Sequence, residues 1–182
     1  MDSSSSIIEF CQLVRDRSTE HQEAVNLLLE NGIIGVAVGL LRQEIDSFIR
    51  VSHVFSTIHA ISEKAQDLIA DFMSGKKWPV NDGEMLRNEG GWVKLIYQLS
   101  CNLIHLSNYH SYNRNDPFVN LVDSNTKTEI INYLNHKHGY PDNTISKEQF
   151  IPYISKILAK IVSNTDYHLK EIEKYASQQV SN

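Results

Sequence analysis

Apolar residues recur along this chain at three- and four-residue intervals, the spacing that lines one face of an α-helix, and nowhere do they alternate as strand residues do. Over residues 7–30 the set Ile7, Cys11, Val14, Val25, Leu28 and Leu29 predicts two short helices or one bent helix, because the polar run Asp16 to Glu20 interrupts it. Asn31-Gly32 supplies the left-handed residue that closes many helices, and a second apolar run begins at once, which predicts an antiparallel hairpin. The second helix is expected over residues 35–61. It should bury Val38, Leu41, Ile45, Phe48 and Phe55, with Leu40, Val51, Val54 and Ile58 widening the face, and act as the central helix. Arg42, Asp46, Arg50 and His53 form a narrow polar stripe along it, which reads first as a solvated ladder of ion pairs.

Ser62 can cap a third helix over residues 63–73, stopped by Ser74-Gly75. Asn81-Asp82-Gly83, a turn of helix at Met85-Leu86 and Gly90-Gly91 read as a surface loop. Trp92, Leu95, Ile96, Leu99, Leu103 and Leu106 mark a fourth helix, whose other side carries Lys94, Gln98, Cys101, Asn102, His105 and Tyr109. A fifth helix is expected over residues 124–139 with Ile130, Ile131 and Leu134 inward. Ser146 and Gln149 have capping-box spacing, Pro152 suggests that regular helix begins only there, and Phe150, Ile154, Ile157, Leu158 and Ile161 give the buried stripe. Ile172 and Ala176 carry a last amphipathic segment. The fold class is all-α: one antiparallel bundle of about five to seven helices over residues 6–178, with a flexible tail at 1–5 and a polar tail at 179–182.

Composition narrows the class. With 41% hydrophobic and 21% charged residues in 182 positions, the chain has the balance of one globular domain. A net charge of -5 argues against a module that wraps a polyanion, so any nucleic-acid contact must be local. Cys11 and Cys101 form no paired motif, which points away from zinc or disulfides and towards reduced thiols in a cytoplasm. The apolar stretch 33–41, broken by Gly35 and Gly39, is far short of the ~20 residues a bilayer span needs, and the N-terminus has no basic signal region. No phosphate-loop motif and no His-Glu-x-x-His occurs, and His136 and His138 are two apart, where they cannot share a helical face. No metal and no cofactor are expected.

Cys101 and His105, four apart on a helix, have the spacing by which an imidazole activates a thiol, although a buried structural cysteine is the plainer reading. A richer group follows: His105 with Asn102, Tyr109, His110, Tyr112 and Arg114 gathers imidazole, phenol and guanidinium at a helix end and the loop behind it. Such groups suit RNA. Imidazoles serve as base and acid when a 2′-hydroxyl attacks its own phosphate, arginine stabilises the developing charge, and aromatic rings stack exposed bases. The plainer reading is a half-buried histidine and tyrosine bonded to backbone beside a polar loop.

A central helix with Leu41-Arg42-Gln43-Glu44-Ile45-Asp46 and Arg50, then a later helix with Cys101-Asn102-Leu103-Ile104-His105 leading to Tyr109 and Tyr112, resembles the HEPN superfamily of helical bundles, in layout over residues 20–115. That family comprises toxin, phage-defence and RNA-processing nucleases along with non-catalytic relatives. The resemblance implies an Arg followed after four to six positions by a His, and a homodimer in which two such motifs form one metal-independent RNA-cleaving site. His105 would be the catalytic acid or base with Asn102 beside it, and Tyr109, His110, Tyr112, Arg114 and Asp46 would serve binding. Yet Gln98, Leu99 and Ser100 occupy the positions where its arginine belongs, so Arg42 or Arg50 would have to supply the charge from the neighbouring helix or a partner subunit. The one formal match, Arg15 to His21, lies too near the N-terminus for the family's usual place and reads as chance. The competing expectations are an RNA-cleaving, toxin- or defence-type component, a non-catalytic module binding a protein or nucleotide-like partner, and a structural homodimer.

Overall fold

A left-handed residue turns the chain back on itself at Gly32, whose φ is +70°. The amide of Gly32 donates to the carbonyl of Leu29 at 3.0 Å and that of Ile33 to Leu28 at 2.8 Å, the paired bonds of a Schellman motif. The helices joined there are α1 (Ser3–Glu30) and α2 (Ile34–Ala60). This computed structural model describes residues 3–60, 62–76, 86, 91–104 and 116–180. The described elements continue with α3 (Ser62–Met73), α4 (Gly91–Ile104), the short α5 (Pro117–Asn120), α6 (Ser124–His138) and α7 (Lys147–Val180). The fold is all-α, with seven helices and no strand among the described residues.

Cross-helix contacts fix the directions. The turn at Gly32 folds α2 back until Ser18 meets Glu44, and Cys11 meets Leu169 while Asn26 meets Ser155, so α1 runs antiparallel to both α2 and α7. It follows that α2 and α7 run in the same sense. The central place expected for α2 is the one it occupies, packed by α1, α3, α4 and α7. Val38, Leu41, Ile45, Ile49, Val54 and Ile58 on α2 join Ile96 and Leu99 of α4 and Ile154, Ile157 and Ile161 of α7 in the core. At about 1.5–3 kcal/mol for each large side chain fully removed from water, this burial outweighs any surface ion pair.

The periodicity placed the helices well and their continuity less well. α1 is one helix beginning at Ser3, the single-helix alternative and not two short ones, and it continues without a break through Asp16 to Glu20. α7 is likewise one helix of 34 residues that includes Pro152, and it reaches Val180, beyond the start expected for the polar tail. Pro152 cannot donate to the carbonyl of Glu148, but the first turn is secured before it. The Ser146 amide donates to Gln149 Oε1 at 2.9 Å and the Gln149 amide to Ser146 Oγ at 3.2 Å, a reciprocal capping box.

Asp116 holds two helix starts at once. One carboxylate oxygen accepts the amide of Phe118 at 2.8 Å, capping α5, and the other accepts the amide of Lys147 at 2.9 Å at the head of α7. Phe118 and Phe150 pack beneath this clip with ring centroids 5.3 Å apart. Asp116→Ala should lower the unfolding free energy by about 2 kcal/mol, a cap's worth at each end, and Asp116→Asn by about 1, because an amide can accept at one end only. Urea denaturation of the three proteins measures the difference.

Candidate functional site

The polar stripe of α2 does not face water at its first member. Arg42 is 9% exposed, its Nε donates to Cys101 Sγ at 3.2 Å, and its guanidinium lies over the Tyr97 ring at 3.5 Å from the centroid. Asp46, one turn along α2, completes the cluster as an ion pair. Burial opposes the charge on Arg42, but the hydrogen bonds to Asp46 and Cys101 outweigh it and raise the pKa above the ordinary arginine value. The solvated ladder expected here is thus an internal ion pair at Arg42, because α4 packs over that edge of α2. Tyr97, which sequence reasoning missed, precedes Cys101 by one helical turn and so was on the same face of the pattern.

Other predicted site residues are dispersed. Arg50 is 80° around the helix from Arg42 by a 3.6-residue period and lines a small cleft between α1, α2 and α3 with Arg17, Leu13 and Phe72. Asn102, exposed on α4, borders a separate cleft of about 230 Å³ with Gln98, Asp123 and Thr126. His105, Tyr109, His110, Tyr112 and Arg114 lie outside the described residues, as do Asn81, Asp82 and Gly83 of the expected surface loop.

The formal Arg15-to-His21 match is distributed over three helices. Arg15 Nε donates to Asp166 at 2.9 Å, and its two terminal nitrogens clasp Glu173, at 2.5 and 2.9 Å. The hydrogen bond to Glu173, working against burial and joined by that to Asp166, holds the Arg15 pKa above its ordinary value. His21 turns instead to α2, where its Nδ1 is 2.7 Å from Glu44 Oε2, and the Ser18 hydroxyl donates to Glu44 Oε1 at 2.5 Å. Glu44 is 0% exposed. Cys11, next to this seam, is an inert thiol: burial, with Glu173 adding to it and Arg15 opposing, pushes its pKa up to about 12.

A further group forms where α4, α6 and α7 meet. Trp92, expected in the core, stands instead at its edge and stacks on buried Tyr133, centroids 5.2 Å apart and planes 7° from parallel. Tyr133 shares a hydrogen bond of 3.0 Å with His138 Nε2, Lys160 Nζ lies 5.5 Å from the Trp92 ring, and Lys156 Nζ lies 4.5 Å from the Tyr153 ring. Beside Trp92 opens a cleft of about 640 Å³ lined by Glu129, Asn132, His136 and Lys137. No signal in the sequence joined Trp92 to residues some forty positions on. Among the described residues no three His, Cys, Asp or Glu side chains converge as metal ligands, and no helix is long and apolar enough to cross a membrane.

Compared with protein-family models, with curated proteins and with solved structures, the chain matches none.

Two outcomes follow from these internal polar contacts. Glu44→Ala leaves His21 and Ser18 facing a void and should cost about 3 kcal/mol, whereas Glu44→Gln, which can still meet both, should cost about 1; chemical denaturation at neutral pH measures both. The second concerns acid. Burial lowers the pKa of His168, stacked on Phe55 and bonded to Ser52, and burial assisted by nearby lysines lowers those of His53 and His138. Lowered folded-state values mean that the unfolded chain takes up protons first, so the stability present above the ordinary histidine pKa is lost as pH falls through the folded values. The urea midpoint should therefore drop between about pH 7.5 and pH 5, and drop less steeply in His168→Phe.

Proposed function

We propose that the chain is a non-catalytic helical module, similar in plan to the HEPN bundles, that acts by binding a partner. One observation carries this reading: Arg42 and Arg15, two of the arginines offered by its catalytic alternatives, are committed to contacts within the fold. An arginine that stabilises charge developing on phosphate must present its N–H groups to the reacting oxygens. Arg42 instead spends its guanidinium on Asp46, Cys101 and the Tyr97 ring. Arg15 is spent on Asp166 and Glu173, and the histidine of the same match on Glu44.

These contacts suit scaffolding. Arg42 ties α2 to α4 through the turn of α4 that leads towards position 105, and Arg15 ties α1 to α7. Releasing either to serve a substrate would leave a carboxylate without its counter-charge, a cost that a catalytic cycle would meet at every turnover.

The test is incubation of pure protein with total RNA and no added metal, alongside His105→Ala and Arg42→Ala variants. The expected result is RNA as intact as in the protein-free control for all three. Cleavage by the wild-type protein that either substitution abolishes would overturn the reading.

A further inference from the structure

The layer that α3 lays over the α1–α2 hairpin stops half-way. α3 starts at Ser62, directly after α2 ends at Ala60, and runs back along both helices until Phe72, in its last turn, meets Phe10 edge-to-face with ring centroids 5.1 Å apart. Gly75, at φ +71°, closes the helix there. α7 takes the opposite edge of α1, through Cys11, Arg15 and Asn26. From the end of α3 to the turn at Gly32, the groove between α1 and α2 therefore continues for about four helical turns.

This stretch is built as a contact face. Leu13, Arg17, Ala24 and Leu27 follow one stripe of α1, at i, i+4, i+11 and i+14, and Val36, Gly39, Gln43 and Arg50 follow one stripe of α2, at i, i+3, i+7 and i+14. Arg17 joins the two stripes by donating to Gln43 Oε1 at 3.4 Å. Leu13 is 46% exposed, Val36 55% and Leu27 62%, and with Phe72 they are four of the eight large apolar side chains exposed among the described residues, a patch and not a scatter. A glycine in mid-helix weakens it relative to alanine, yet a Cβ at Gly39 would meet nothing within 4 Å, so the fold itself does not call for one. What Gly39 admits is the close approach of another backbone.

Charge along the groove is ordered. Arg17 and Arg50 line the cleft beside Phe72, and no carboxylate lines it; Glu20 follows Arg17 by one turn, and Ala24 and Leu27 come after. The cleft holds about 50 Å³, well below a small-ligand site, which favours a side chain carried on a larger partner.

We infer that this groove docks an amphipathic helix of a partner protein, laid end to end with α3. Its first turn carries carboxylates against Arg17 and Arg50, its second a basic residue against Glu20, and the rest an apolar stripe against Gly39, Val36 and Leu27. Carboxylates in the first turn also suit the helix dipole, and apolar residues at i, i+3, i+4 and i+7 are the usual anchors of a helix in a groove. The inference rests on the binding-module reading above and names its partner.

The probe is a synthetic helical peptide with that order of acidic, basic and apolar turns; a second peptide of the same composition exchanges the acidic and basic residues. Both are titrated by fluorescence anisotropy into the full chain and into Gly39→Leu and Arg17→Glu variants. Arg17 is exposed and Gly39 faces open space, so both variants fold, and Gly39→Leu should raise the urea midpoint. The first peptide should bind more tightly than the second, Gly39→Leu should weaken it at least about tenfold, and Arg17→Glu should reverse the preference. Failure of both peptides to bind at millimolar concentration, equal binding of the two, or affinity unmoved by Gly39→Leu overturns the inference. Sedimentation of the chain alone should show no dimer that depends on Gly39; a dimer dissociated by Gly39→Leu makes a second copy the occupant and overturns it too. The RNA-cleavage assay reads independently: cleavage removes the non-catalytic reading even if the peptide binds, and intact RNA without peptide binding removes only this partner.

Discussion

A helix enclosed by four others has nowhere to send its charges, and that constraint organises the protein. α2 carries Arg42, Glu44, Asp46, Ser47 and Ser52 through the middle of the bundle, where an unpaired polar group costs more than a hydrophobic contact returns. Each is met from another helix or within a turn. Glu44 is met by Ser18 and His21 of α1, Arg42 by Asp46 and by Cys101 and Tyr97 of α4, and Ser52 by His168 of α7. Hydrophobic burial supplies the driving force for assembly, but these contacts specify which helix lies against which edge of α2. They add little net stability while making wrong pairings expensive.

The same constraint explains what was legible in the sequence. Features that depend on neighbours in the chain were readable: the turn at Gly32, the box formed by Ser146 and Gln149, and the buried series Leu95, Ile96, Leu99 and Leu103. Features satisfied from a distance were not. The polar run Asp16 to Glu20 read as a helix break, yet Ser18 within it and Arg15 and His21 at its flanks find partners at 44, 166 and 173, and α1 continues through. Arg42 read as solvated because the stripe it belongs to is polar, and only the packing of α4 reveals that its first member is covered.

For the candidate site the limits were of another kind. A motif search follows residues along one helix, whereas the aromatic corner joins the first turn of α4 to the end of α6 and the middle of α7. Trp92 fitted the apolar series and was assigned inward on that basis. Its stacking on Tyr133 and its contact with Lys160 place it at the edge of the core instead, a position that the spacing of apolar residues does not distinguish from the interior.

The clasp of Arg15 has a mechanical consequence. It grips α7 at Asp166 and at Glu173, two turns apart, and so acts as a fork with two tines rather than a single peg. One ion pair would let α1 swivel about its anchor. Two anchor points on one guanidinium resist both rotation and sliding. The long antiparallel pair α1 and α7 is therefore held in one register, and sliding of one helix along the other is resisted as shear at that seam.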